Sequence, residues 1–155
     1  MVVTVRWDER YWYPEEGGEV WLAGYSVVEP ATGAFLARDA PELAAAGLRI
    51  AGVAGAARHH AGALASAAAA PARALALRRE PDNAHDANAI AVATADGALL
   101  GYVPRVLAAE LAPELDASRP WSAVVLREQR PSPRDPRTGV TMLLAAAPAI
   151  ELRER

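Results

Sequence analysis

The chain contains no cysteine and no lysine. The first absence excludes disulfides and thiolate metal sites. The second leaves arginine, present sixteen times, to supply every permanently charged basic side chain. Any phosphate contact would then fall to guanidinium groups, whose planar forks bind oxygens bidentately. Long apolar runs are also missing: no stretch of about 18 residues could span a bilayer, so no membrane association is expected. Residues 1–9 lack the charged-then-apolar order of a secretory signal, and a cytoplasmic protein is the expectation.

At 155 residues the chain can build one domain with a sizeable core and an extension. Charge and ring content divide it after residue 46. Residues 1–46 hold three arginines against eight acids, a net −5, and seven of the nine aromatic residues: Trp7, Tyr11, Trp12, Tyr13, Trp21, Tyr25 and Phe35. Residues 47–155 hold thirteen arginines against eleven acids, a net +2. An acidic, aromatic extension (1–46) followed by a slightly basic domain (47–155) is the organisation expected. A +2 balance is compatible with nucleic acid but lacks the strong basic footprint of a non-specific binder.

Residues 20–28 alternate like a strand, residues 29–33 turn, and residues 34–37 are expected to return as the second arm of a hairpin. A short helix follows, with Asp39 as N-cap, Pro41 in its first turn and Gly47 past its end. Strands are predicted over 48–55, 72–79, 89–94 and 98–103, with a helical turn in 61–70 ended by Pro71. The Asp96-Gly97 pair marks a tight hairpin turn. Pro104 opens a helix to about Leu115, on which Leu107, Leu111 and Leu115 make one apolar stripe. Residues 121–128 and 140–147 are expected to form a long hairpin. Its tip, residues 130–139, is too rich in proline for a ladder and is expected to be a loop. Five or six strands with short helices predict a mainly β protein, a small β-barrel, with an N-terminal hairpin and helix added.

The most specific stretch is residues 79–105, where Pro, Asn, Asp, His, Gly and Tyr sit at fixed positions between two strand-like runs. Its order is Arg79-Glu80-Pro81-Asp82-Asn83, then Asp86-Ala87-Asn88-Ala89-Ile90, then Gly101-Tyr102-Val103-Pro104-Arg105. Upstream, a strand end carrying Val53 and Gly55 leads into Arg58-His59-His60. Pro81, Asn83 and Asn88 read as loop-shaping residues, because Asx side chains bond neighbouring backbone groups. Arg78, Arg79, Arg127 and Arg130 read as solvated strand faces. The N-terminal rings read as an apolar patch over the barrel, with Tyr11-Trp12-Tyr13 as an alternative protein-binding surface.

In order and spacing these elements, over roughly residues 48–150, resemble the HIRAN domain. This DNA-end-binding module of fork-remodelling helicases also occurs as stand-alone bacterial proteins. The resemblance implies a modified OB-like barrel, a shape suited to single strands, and non-catalytic binding of single-stranded DNA at its 3′-hydroxyl end. Such binding would be accessory to a DNA repair, replication or defence machine whose helicase or nuclease is a separate chain. It implies no cofactor, metal or catalytic residue. By position, Asp86 would accept the 3′-hydroxyl proton, Arg58 and Arg105 would contact phosphates, and Tyr102 would do so through its hydroxyl. His59 and His85 stand where eukaryotic relatives carry tyrosines that enclose the terminal base, and His60 is the second ring after Arg58. An imidazole is a smaller stacking surface than a phenol, but once protonated it adds charge attraction, so binding is expected to strengthen in mildly acidic solution. No ring lies near Val140, where relatives place another; the arginines of the 130–137 loop are expected to substitute in part by binding phosphate.

Two other classes stay open from the residues alone. His59, His60 and His85 beside Asp86 could hold a divalent metal for phosphodiester hydrolysis. Against that, adjacent histidines on a strand point to opposite faces, and no P-loop or nucleophile elbow is present. Alternatively the barrel only scaffolds, and the aromatic N-terminal segment contacts a protein.

Overall fold

The computed structural model describes residues 1–13, 18–133 and 137–155. Among these residues nine strands and four α-helices follow the order β1 (Val2–Trp12), β2 (Val20–Val27), α1 (Pro41–Ala45), β3 (Leu48–Gly52), α2 (Ala56–His59), α3 (Ala61–Leu64), β4 (Ala74–Arg79), β5 (Ile90–Thr94), β6 (Leu99–Tyr102), α4 (Arg105–Asp116), β7 (Ser122–Arg130), β8 (Gly139–Ala145) and β9 (Glu151–Glu154). A single 3-10 turn, Ala67–Ala69, lies between α3 and β4.

Six of the strands close on themselves. β3 pairs with β8, β8 with β7, β7 with β4, β4 with β5 and β5 with β6, all antiparallel. The ring is completed just past β3, where Ala54 and Tyr102 exchange both backbone hydrogen bonds, at 2.8 and 3.0 Å. Closure removes the unpaired strand edges that would otherwise invite aggregation. The interior is filled by side chains such as Val53, Ile90, Val92, Leu100, Val125, Met142 and Leu144. Each large apolar side chain buried this way contributes about 1.5–3 kcal/mol. Leu111 of α4 is buried in the same core, with Leu107 and Leu115 packed against it, so the predicted stripe is the face α4 lays on the barrel.

β7 and β8 read as unbroken apolar runs because both their faces are covered. Val125, Met142 and Leu144 point into the barrel, while Val124, Leu126 and Leu143 belong to a second core with Val3, Val5, Val27 and Leu43. That second core ties residues on both sides of the compositional change at 46, since Leu48, Ile50 and Ala145 also enter it.

The N-terminal region departs from the predicted hairpin. Residues 34–37 contribute only a single bridge, Phe35 to Val28. The partner of β2 is β1, in register from Val5↔Val27 to Trp12↔Val20. The eleven residues of β1, rich in β-branched and aromatic side chains, offer a long ladder that four residues after a turn cannot match. β2 also joins β7 through Trp21↔Arg130 to Gly24↔Arg127, and β9 adds in parallel to β1. Asp39 does not cap α1, whose N-cap is Ala40 without a side-chain bond; Pro41 opens the helix, where its missing N–H costs nothing. Of the arginine-rich tip between β7 and β8, Arg134 lies outside the described residues.

Candidate functional site

The loop between β4 and β5 is held by its own side chains. Asn83 Oδ1 accepts the backbone N–H groups of His85 (2.9 Å) and Asp86 (3.1 Å), and its Nδ2 donates to Glu80 Oε1 at 3.1 Å. Asp86 Oδ1 in turn accepts the Asn88 N–H at 2.9 Å. These are Asx turns, and they fix where residues 83–88 project. At the loop base Arg79 binds Asp116 through two nitrogens, at 2.9 and 3.2 Å, and donates to the Ala89 carbonyl at 2.9 Å. Arg79 is thus a brace between the loop and the end of α4 rather than a solvated strand residue. Its guanidinium holds the Asp116 carboxyl below the usual aspartate range.

The loop, the end of β6 and the start of α4 enclose a cleft of about 350 Å³. Its apolar lining comes from Ala54, Ala89 and Val103; its polar lining is Asn83, His85, Asp86, Tyr102 and Arg105. Four of the seven predicted site residues therefore meet in one place. Arg105 Nε lies 3.7 Å from Asp86 Oδ2, and Arg105 Nη2 donates to the His85 carbonyl at 3.3 Å. The two differ in exposure: 21% for the Asp86 side chain against 79% for Arg105. Among the described residues Asp86 Oδ2 makes no closer polar contact, so it remains able to accept a proton from a ligand. α4 begins here without a side-chain cap, so its first N–H groups add a partial positive charge on the same side.

Arg58, His59 and His60 do not line this cleft. They follow Ala54, which does, by way of Gly55, whose φ of +79° turns the chain into α2. Arg58 and His59 are exposed, and Arg58 has no hydrogen-bond or ion-pair partner among the described residues. The His59 and His60 ring centroids are 6.3 Å apart. Because the Ala54–Tyr102 bridge joins the two regions, α2 forms the neighbouring wall rather than the cleft itself.

Sequence reasoning missed the organising role of Glu80. Its carboxylate accepts the Tyr102 hydroxyl proton at 2.9 Å as well as the Asn83 amide. The hydroxyl's one proton is therefore directed at Glu80, and a phosphate could take it only by displacing that bond. This hydrogen bond, aided by partial burial and the Glu80 charge, pushes Tyr102 above the ordinary tyrosine value. A raised value means the neutral form is favoured on folding. The bond therefore supports the fold below the ordinary tyrosine range, and that support is lost as pH rises through the Tyr102 value. In an alkaline ultraviolet titration, Glu80→Gln is expected to move one tyrosine transition downward; an unchanged curve would show that Glu80 does not hold Tyr102.

Other arginines read as solvated are also structural. Arg127 donates to the Tyr25 carbonyl at 3.0 Å, and Arg130 pairs with Glu128 while lying 4.6 Å over the Trp21 ring. The Arg127–Tyr25 and Arg130–Trp21 contacts leave no local sequence signal, since they join strands about a hundred residues apart in the chain, whereas Glu128 is only two residues from Arg130.

A closed barrel carrying an Asx-braced loop beside an uncapped helix start defines a small β-barrel module, and the family comparison gives it a name. Residues 52–141 match the HIRAN domain, and the chain belongs to that family. Its fold is similar to the crystal structure of the HIRAN domain of human HLTF, at 23% identity and a TM-score of 0.48, over 64% of this chain and 74% of that one. No curated protein sequence matches the chain.

Proposed function

We propose that this protein binds single-stranded DNA at a free 3′-hydroxyl end, without catalysing a reaction, as an accessory to a DNA-processing machine on another chain. Family membership supports binding of DNA; the cleft supports recognition of an end. The observation that carries the finer reading is Asp86, a largely covered carboxylate with one oxygen bonded to the loop and the other turned toward the cleft cation. Such an oxygen accepts a hydroxyl proton and repels a terminal phosphate in the same place. Arg105 and Arg58 stand exposed for the phosphates leading to that end. His85 in the cleft and His59 on the adjoining wall supply the flat groups against which a terminal base would rest.

Binding is read with labelled single strands ending in 3′-hydroxyl or 3′-phosphate and with a blunt duplex. A preference for the 3′-hydroxyl single strand is expected; equal affinity for all three ends would rule out end recognition. The hydrolase alternative would need His59, His60 or His85 to converge with Asp86, and among the described residues no three His, Asp or Glu side chains gather as metal ligands. Native mass spectrometry is expected to show the mass of the metal-free chain; one bound zinc per chain would overturn the binding-only reading.

A further inference from the structure

The acidic N-terminal segment contains three arginines, Arg6, Arg10 and Arg38. All three line one continuous groove on the outer face of the β1–β2–β7 ribbon. The groove consists of two hollows, of about 380 and about 190 Å³, that share Arg10 and Phe35. Register explains the gathering. Arg6, Arg10 and Trp12 share one face of β1 by alternation, and Trp7 also borders the first hollow. Across the ladder, Leu22 lies opposite Arg10, and Gly24 lies opposite Arg127 of β7. Arg127 thereby joins the cluster from a strand more than a hundred residues away in the chain.

Among the described residues, the four guanidinium groups so placed share the groove with one carboxylate, Asp8, at 3.7 Å from Arg10. Arg6 donates to the Gly33 carbonyl and Arg127 to the Tyr25 carbonyl, bonds that position them without neutralising their charge. Arg38 has no hydrogen-bond or ion-pair partner among the described residues. Burial, together with the like charges of Arg38 and Arg10, holds Arg127 below the ordinary arginine value. Gathering like charges in a partly covered groove is costly unless an anion offsets it. Between the cations stand two exposed rings, Phe35 at 59% and Trp12 at 46%. Cations tracking a groove, with flat apolar faces between them, are what a nucleic-acid single strand requires.

We propose that this groove is a second binding site, for the internal sugar-phosphate backbone and bases of a single-stranded nucleic acid, with Arg6, Arg10, Arg38 and Arg127 on phosphates and Phe35 and Trp12 on bases. It is separate from the cleft at Asp86, takes Arg6, Arg10 and Arg38 from outside the stretch that matches the family and Arg127 from within it, and does not depend on end recognition. A strand held at both places would be gripped along its length as well as at its end, and the two contacts would reinforce each other.

The test uses a circular single-stranded oligodeoxythymidine, which offers phosphates and bases but no end. The unsubstituted 155-residue chain is expected to bind it. The exposed double variant Arg10→Ala/Arg38→Ala is expected to bind at least tenfold more weakly, with its salt dependence flattened by a slope of about 1.4 for two lost single-strand phosphate contacts. Phe35→Ala is expected to lose about fivefold or more, since stacking is worth about 1–3 kcal/mol per base. Circular dichroism melting checks that each variant is folded. The ratio of affinities for linear 3′-hydroxyl and 3′-phosphate strands reads the cleft separately and is expected to persist in the double variant. Failure to bind the circle, or equal binding by wild type and double variant, would overturn the groove while leaving the cleft untouched. Inorganic polyphosphate competing as well as the circle, with Phe35→Ala unchanged, would overturn the nucleic-acid assignment in favour of a plain anion site.

Discussion

Asp86→Asn is expected to erase the preference for a 3′-hydroxyl over a 3′-phosphate end while leaving the fold intact. The carboxylate has two separable tasks. Oδ1 holds the Asn88 N–H and so shapes the loop; Oδ2 faces the cleft and Arg105. An amide keeps an oxygen for the first task but removes the charge that accepts the hydroxyl proton and repels a terminal phosphate. A hydrogen bond to a charged group is worth about 1.5–3 kcal/mol, so the wild-type preference is expected at about tenfold or more and the variant's near unity. Asp86→Ala should also lose the preference, but with a lower melting temperature, because the Asx turn goes with the carboxylate. Arg58→Ala provides the contrast. Arg58 is exposed and has no partner among the described residues, so its loss should weaken binding to every end alike, since a phosphate contact positions a strand without reading its terminus. If Asp86→Asn discriminates as the wild type does, another group reads the end.

What the sequence disclosed and what it hid follow one physical line. Residues 79–105 were legible because each special residue there answers a local need: Asn83 and Asp86 bond backbone groups within three residues, and Pro104 precedes a helix. Leu107, Leu111 and Leu115 were legible because helical period is local too. The brace from Arg79 to Asp116 was not, because it spans 37 residues and leaves no spacing to read. β1 was overlooked because its outer half alternates rings with charges, Arg6, Asp8 and Arg10 among them, and resembles a solvated segment until β2 is laid beside it. β9 is four residues long, with charge at three of them, the mark of a protected edge rather than of a core strand. The groove on that ribbon was hidden for the same reason. Three of its four arginines are dispersed in a segment of net negative charge, the fourth comes from β7, and only the ladder register collects them.

Gly101→Ala is expected to open the barrel at its seam. A Cβ at Gly101 would fall well inside contact distance of the Ala54 carbonyl oxygen and 2.7 Å from Val53 Cγ1. Neither neighbour can move cheaply. Val53 is buried in the barrel core, and the Ala54 carbonyl accepts the Tyr102 N–H in the bridge that closes the ring of strands. Forcing even one methyl group into such a contact costs about 1–3 kcal/mol or more, and each kcal/mol lowers the melting temperature by about 2–4 °C at this chain length. A drop of about 2–12 °C is therefore expected. Gly62→Ala is the control: no atom lies within 4 Å of its added Cβ, it sits in α3, and alanine favours helix, so its melting temperature should be unchanged or slightly higher. The seam also links structure to binding. Ala54 lines the cleft and leads through Gly55 into α2, so prising β6 from Ala54 moves Tyr102 and Arg58 relative to Asp86. DNA-end affinity measured well below the melting transition should fall in Gly101→Ala although no ligand-facing side chain has changed. Full affinity in a destabilised Gly101→Ala would show that the cleft is assembled without the seam and that α2 takes no part in it.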